Sequence, residues 1–487
     1  MNKTTSFYWF DYETFGTHPA WDRPCQFAGV RTDADLNVIG EPLVIYCRQS
    51  LDYLPQPGAC RVTGITPQLV NKEGLPESEF ISRIRQEMTF PGTCSVGYNN
   101  IRFDDEFTRH TLFRNLFDAY EQEWKDGCSR WDLLDVVRLT RALRPDGIQW
   151  PCNEDGSASN KLEHLSAANN IEHAHAHDAM SDVWATIGMA KLIKQVQPRL
   201  FDYAFSHRSK QDVAAILNTR DRQPCLQVSG MIPASQQHIS PVVPLTRHPQ
   251  NNNSIIVLDL SVDPAYLSTL DSDEIALRLF TKAEERADGA APRPGLRTIQ
   301  INKCPVLVPM ASLRDEDAAR LGIDVESTRQ RVLQLPNWFE ETVLDNIVKA
   351  MTREWPDDTD RDVDGTLYTG SFLSQSDRQR LATIREDLPD SSSLSEHRGF
   401  FDDKRLDEIV FRYLARNFPD RMSSEDAQLW QEHCTSRLTN TTAPWLNFDE
   451  FDAELADDTA WTDGNKALRE SLADYGKHLR EKLGIQH

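Results

Sequence analysis

At 487 residues the chain exceeds what one hydrophobic core usually organises, so about three domains are expected. Hydrophobic residues at 39% and charged residues at 26% exclude an intrinsically disordered chain, and no apolar run of about 18 residues is present to span a bilayer as a helix. The net charge of −22 excludes a uniformly basic wrapper of nucleic acid; more than half of it falls in residues 351–487, which leaves room for a local basic groove earlier in the chain.

Taken in chain order, Ser6–Asp11, Gln26–Thr32 and Val38–Cys47 read as strands of an antiparallel meander, with Asp33, Asp35 and Asn37 as turn formers. Helical periodicity then alternates with short apolar runs: a helix over Phe80–Met88, a strand over Cys94–Tyr98, and helices over Asp104–Phe117, Trp131–Leu143, Lys161–Asn169 and Asp178–Val196. The pattern is α/β with a mixed sheet, over residues 1–197. Residues 198–350 read as a second, β-rich domain, with strands at Leu226–Met231, Val242–Leu245, Ile255–Leu260 and Leu296–Ile301 and a turn at Asn251–Asn253. Residues 351–487 read as helical, with Leu406, Ile409, Val410, Tyr413 and Leu414 on one apolar face. Nine scattered cysteines without a Cys-x-x-Cys unit fit neither a disulfide framework nor a zinc site. With no secretory leader pattern at the N-terminus, they predict a cytoplasmic protein with no membrane association. No phosphate-binding Gly-x-x-x-x-Gly-Lys-Ser/Thr loop occurs, so coupled ATP hydrolysis is not indicated.

Three groups of polar residues stand out. Asp11 and Glu13, in Phe10-Asp11-Tyr12-Glu13-Thr14, lie two apart at a strand end, so both face one side of the sheet and Tyr12 the other. An isolated Asp-x-Glu is more often a solvated strand edge. In Gly97-Tyr98-Asn99-Asn100-Ile101-Arg102-Phe103-Asp104-Asp105 a strand ends and a helix begins; Asp104 is read as a ligand reaching back to the sheet and Asp105 as the helix cap. His177 precedes a long amphipathic helix, and Asp182 lies just over one turn inside it. His173, His175 and His177 alternate with alanines, yet no acidic or thiol partner is spaced to complete a tetrahedral metal set.

Asp-x-Glu, Asn-x-x-Phe-Asp and His-x4-Asp, in this order, resemble the three motifs of the DEDD exonucleases, histidine-containing class. Phe10–Ala20, Gly97–Glu106, Ser129–Arg138 and the run Asn302–Leu307 are further similar to the bacterial exonuclease I family. That resemblance implies a ribonuclease H-like exonuclease domain, an SH3-like β domain and a helical C-terminal domain. It implies 3′ to 5′ digestion of single-stranded DNA to 5′-mononucleotides, in repair and recombination. Asp11, Glu13, Asp104 and Asp182 would hold two Mg²⁺ ions, with Mn²⁺ as a substitute, and His177 would act as general base. Arg109, Tyr120, Trp124, Arg138, Lys161 and Lys210 fall at positions of strand contacts, with Glu13 also touching substrate. Lys161 stands where the family leads one to expect arginine. Arg144 and Tyr203 match a pocket for the acidic C-terminal tail of single-stranded-DNA-binding protein, and Gln223, beside Arg222, replaces an expected lysine. A monomer is expected. Two other classes compete: a proofreading or RNA-trimming exonuclease, usually a shorter single domain, and a non-catalytic DNA- or partner-binding protein, which would lack one of the ligands.

Overall fold

The structure is a computed structural model that describes residues 6–173, 178–282, 285–286, 292–339, 341–352, 362–370, 372–387 and 399–485. The chain forms two compact units: Met1–Arg130 with His173–Ile187 and Asp358–His487, and Trp131–Glu172 with Gly188–Asp357.

The first sheet is built of β1 (Ser6–Thr14), β2 (Pro24–Thr32), β3 (Leu43–Tyr46), β4 (Thr93–Gly97) and β5 (Ser129–Asp132), in the order β3-β2-β1-β4-β5, and all but the end of β5 belongs to the first unit. Strand β1 is central because it is apolar on both faces. Tyr8, Phe10 and Tyr12 pack with Phe27, Phe80, Ile81 and Ile84, whereas Phe7 and Trp9 lie on the other side with Asp11 and Glu13. Strand β2 pairs antiparallel to β1 and β4 pairs parallel to it, so the sheet is mixed, as expected. The parallel pairing brings the end of β4 beside Phe10. A Cβ at Gly97 would meet the Phe10 carbonyl at 3.0 Å and the Asn100 Cβ at 2.7 Å, so glycine is required for this close approach.

Val38–Cys47 contracts to Leu43–Tyr46, with Val38 reduced to a single bridge to Thr32 and Gly40 at φ 79° breaking the run. Two short helices, Pro57–Thr63 and Pro67–Glu73, were not expected, although each has proline in its first turn and the first ends on Gly64 at φ 72°. Asp105 does not cap the helix Asp104–Arg114; Phe103 occupies the cap position without a side-chain bond, and Asp105 binds Asn100 Nδ2 at 3.1 Å and Arg130 Nη1 at 2.8 Å instead.

Helices Gln375–Asp387, Arg405–Asn417, Ser424–Thr439, Phe448–Ala456 and Lys466–Leu483 belong to this same unit. Leu406, Ile409, Val410, Tyr413 and Leu414 are buried together, as their spacing predicts. Phe411, Trp430, Phe451 and Leu472 share a core with Phe15, Cys25, Tyr53 and Cys60, so one core joins the C-terminal helices to the N-terminal segments. Next to that core lies a buried ionic network. Arg416 Nη2 reaches Asp52 at 2.7 Å and Asp364 at 2.6 Å, Arg23 reaches Asp364 at 3.2 Å, and Arg437 reaches Asp362 at 3.2 Å.

The second unit carries an antiparallel sheet of β6 (Cys225–Val228), β7 (Ile239–Arg247), β8 (Ser254–Asp259), β9 (Leu296–Gln300) and β10 (Val306–Pro309), ordered β10-β6-β7-β8-β9. Strands β6 to β9 are the four that the sequence predicts, with Asn251 and Asn253 in the β7–β8 turn, and β10 is a fifth that it did not. All nine cysteines are free thiols.

Candidate active site

The side chains of Asp11 and Glu13 leave the same face of β1, and Asp182 comes from the first turns of helix Ala179–Val196. One carboxylate oxygen from each lies within 4.8 Å of the others, a spacing that suits a shared metal ion. Asp104 starts the helix after β4 and is 4% exposed; its Oδ1 accepts the Tyr12 amide at 3.1 Å, which fixes it against the strand between the two β1 acids. Tyr12 points to the other face as expected, and Thr108 donates a hydrogen bond to its hydroxyl at 3.1 Å.

Burial and like charge act together on these acids. Asp11 is raised well above the ordinary carboxylate range by burial first, then by Asp104, Glu13 and Asp182. Glu13 is pushed up to about 8 by burial, then by Asp182, Asp104 and Asp178. The charges that raise Asp11 and Glu13 are all carboxylates, an arrangement that a bound cation would relieve.

Gln26, opposite Glu13 in the β1–β2 register, accepts the Ala179 amide at 3.3 Å and donates to Asp178 Oδ1 at 3.4 Å. It thereby ties β2 to the helix that carries Asp182. Nothing in the sequence singled it out, because the signal is the strand register. His173 Nε2 lies 2.5 Å from Asp182 Oδ1, so the histidine run does have an acidic partner, nine residues on. His175 and His177 lie outside the described residues.

The remaining expected site residues divide between the two units. In the first, Trp124 is 65% exposed, while Arg109 is 4% exposed, ion-paired to Glu123 at 2.6 Å and Glu106 at 2.9 Å, and stacked over Tyr120 at 5.3 Å. In the second, Lys161 and Lys210 are exposed, and Arg138 pairs with Asp135 at 2.6 Å. Arg144 pairs with Asp317 at 3.3 Å and donates to the Ser312 carbonyl at 3.0 Å. Tyr203 stacks on His207 at 4.0 Å and donates to the Leu307 carbonyl at 3.2 Å.

Three family models match the chain: Exonuclease over residues 8–189, Exonuclease I SH3-like domain over 208–350, and Exonuclease I C-terminal domain over 361–479. Exodeoxyribonuclease I of Escherichia coli is 47% identical over 431 residues, covering 88% of this chain and 89% of that protein. This chain belongs to the exodeoxyribonuclease I family. Exonuclease I from Methylocaldum szegediense superposes with a TM-score of 0.92 at 43% identity, covering 99% of this chain and 100% of that one. E. coli Exonuclease I bound to a dA16 oligonucleotide superposes at 0.89 with 43% identity, covering 98% and 100%. Similar structures also include a zinc-bound complex of the E. coli enzyme with single-stranded DNA and an SSB/Exonuclease I complex with an inhibitor. The chain is therefore an exodeoxyribonuclease with an exonuclease domain, an SH3-like domain and a C-terminal domain. Exonucleases of this superfamily depend on divalent metal ions, and the oxygen-only donor set of Asp11, Glu13 and Asp182 suits a hard cation.

Proposed function

We propose that this exodeoxyribonuclease digests single-stranded DNA from the 3′ end, releasing 5′-mononucleotides, with Asp11, Glu13, Asp104 and Asp182 holding two Mg²⁺ ions and Mn²⁺ able to replace them. The carrying observation is the Asp11–Glu13–Asp182 cluster, whose oxygens converge within 4.8 Å while burial and mutual repulsion disfavour ionisation of Asp11 and Glu13. When bound, the ions polarise the scissile phosphate and lower the pKa of the attacking water. The protein's own part is orientation. Strand β1 fixes two acids, the Tyr12 amide fixes Asp104, and Gln26 anchors the helix bearing Asp182. His177, five residues before Asp182, takes the proton from the attacking water, and Glu13 also touches the terminal nucleotide.

Trp124 and Tyr120 supply stacking surfaces for bases; Arg109, Arg138, Lys161 and Lys210 supply positive charge along the strand. The relatives solved with single-stranded DNA support this substrate. The SSB/Exonuclease I complex supports single-stranded-DNA-binding protein as a partner, whose acidic tail would bind at Arg144 and Tyr203. The protein acts as a cytoplasmic monomer in repair and recombination, and its domains divide at 1–197, 198–350 and 351–487. A 5′-labelled oligonucleotide incubated with Mg²⁺ should yield a ladder of shortening labelled strands; early labelled mononucleotide would establish the opposite polarity. Fluorescence anisotropy should show Arg144→Ala binding an acidic tail peptide at least fivefold more weakly; equal affinity would remove Arg144 from that pocket.

A further inference from the structure

From Asp105, next to Asp104, to Glu123, next to the exposed Trp124, runs a chain of ion pairs within the first unit. Asp105, next to Asp104 at the helix start, holds Arg130 Nη1 at 2.8 Å. Arg130 Nε lies 3.3 Å from one oxygen of Glu123, and the other oxygen of Glu123 accepts Arg109 Nε at 2.6 Å. Arg109 continues to Glu106 at 2.9 Å and to the Tyr368 hydroxyl at 3.2 Å, with its guanidinium over the Tyr120 ring at 5.3 Å. The side chains of Arg109 and Arg130 are 5% and 6% exposed, so these contacts are little screened by solvent.

Glu123 is the central link, for it places one oxygen on each of two buried guanidiniums that otherwise repel. It immediately precedes Trp124, and its partner Arg109 supports Tyr120 from the ring face. On the other side, Arg130 holds Asp105, which Asn100 also holds at 3.1 Å, and Asn100 in turn accepts the Gly97 amide at 3.1 Å at the end of β4. Glu123 thus links the helix start bearing Asp104 to the aromatic segment Tyr120–Trp124 through Arg130 and Arg109.

We propose that Glu123 is a positioning residue that couples metal binding at the carboxylates to strand binding on Tyr120 and Trp124. The inference rests on the reading of the site as metal-dependent and strand-binding. Its physical content is reciprocal: strand seated on the aromatics tightens metal binding, and metal tightens the strand by the same factor. Removing the Glu123 charge frees Arg109 and Arg130 to shift, so the helix start and the aromatic platform lose their common reference.

The test is the Mg²⁺ concentration giving half-maximal hydrolysis of oligo-dT, measured at limiting and at saturating oligonucleotide, for the full-length wild type, Glu123→Gln and Glu123→Ala. In the wild type the half-saturating Mg²⁺ should fall as the strand saturates. Glu123→Gln should raise it at least threefold and Glu123→Ala at least tenfold, with the strand dependence lost. Glu123→Gln keeps the side-chain shape, so it carries the test if the alanine variant does not fold. Hydrolysis without divalent metal in the wild type would overturn the reading of the site itself. A metal-dependent wild type whose half-saturating Mg²⁺ matches that of both folded variants, with only KM or thermal stability altered, would overturn the coupling role.

Discussion

Two buried acidic clusters in the first unit use the same residue types to opposite ends. Asp52 and Asp364 are surrounded by Arg23, Arg416 and Arg437 or Arg412, and despite complete burial both carboxyls are held well below the ordinary range by those guanidiniums. Asp11 and Glu13 are surrounded by other carboxylates and are pushed the other way, Glu13 to about 8. Burial opposes ionisation in both places, and the sign of the neighbouring charge decides the outcome. The first cluster is complete within the protein and joins the C-terminal helices to the N-terminal segments. The second would be completed by a cation.

The sharpest way to break this contrast is to neutralise one acid in each cluster. Asp11→Asn should abolish Mg²⁺-dependent hydrolysis in a gel assay while the unfolding temperature of the metal-free protein does not fall, because the change removes repulsion. His177→Ala should lower turnover by roughly 10² to 10⁴ with metal binding retained, the range for a lost general base. Calorimetric loss of Mg²⁺ binding in that variant would move His177 among the ligands. Asp364→Asn should leave active-site metal binding intact but destabilise the fold by about 3–5 kcal/mol, since Arg416 and Arg23 lose a buried partner. Chemical denaturation measures this, and a loss under about 1 kcal/mol would show that the network relaxes.

The smallest expected effect is in pH dependence, where the clusters should have opposite slopes. Glu13 rises from 4.5 to about 8 in the folded protein. Its contribution is therefore fully present below pH 4.5 and lost as pH rises through about 8. Asp52, ordinarily at 3.8, is lowered, so its contribution is present above that value and lost as pH falls below it. The unfolding temperature of the metal-free protein should decline as pH rises from about 4.5 to about 8, and Mg²⁺ or Glu13→Gln should flatten that decline. An unchanged slope in Glu13→Gln would exclude Glu13 as its source.

Much of the site was legible from local rules. Asp11 and Glu13 share a face because strand side chains alternate, and the spacing Gly97–Asp104 already read as a strand running into a helix. The apolar period of residues 406–414 likewise gave the buried helix face. Local rules failed where a polar side chain chose a distant partner. Asp105 looked like a cap and became the partner of Arg130, and Arg109 is bound by Glu123 and Glu106. Gln26 carried no signal until strand register set it opposite Glu13.

By itself the sequence determined most strands of the two sheets, the mixed character of the first, and the face shared by Asp11 and Glu13, because these depend on periodicity and on side-chain chemistry. Tertiary structure alone decided which acids are frustrated and which are paired. Arg416 meets Asp52 across 364 residues of chain, and Tyr12 meets Asp104 across 92. Charge partnership over such separations follows from the path of the backbone, and no local pattern encodes it.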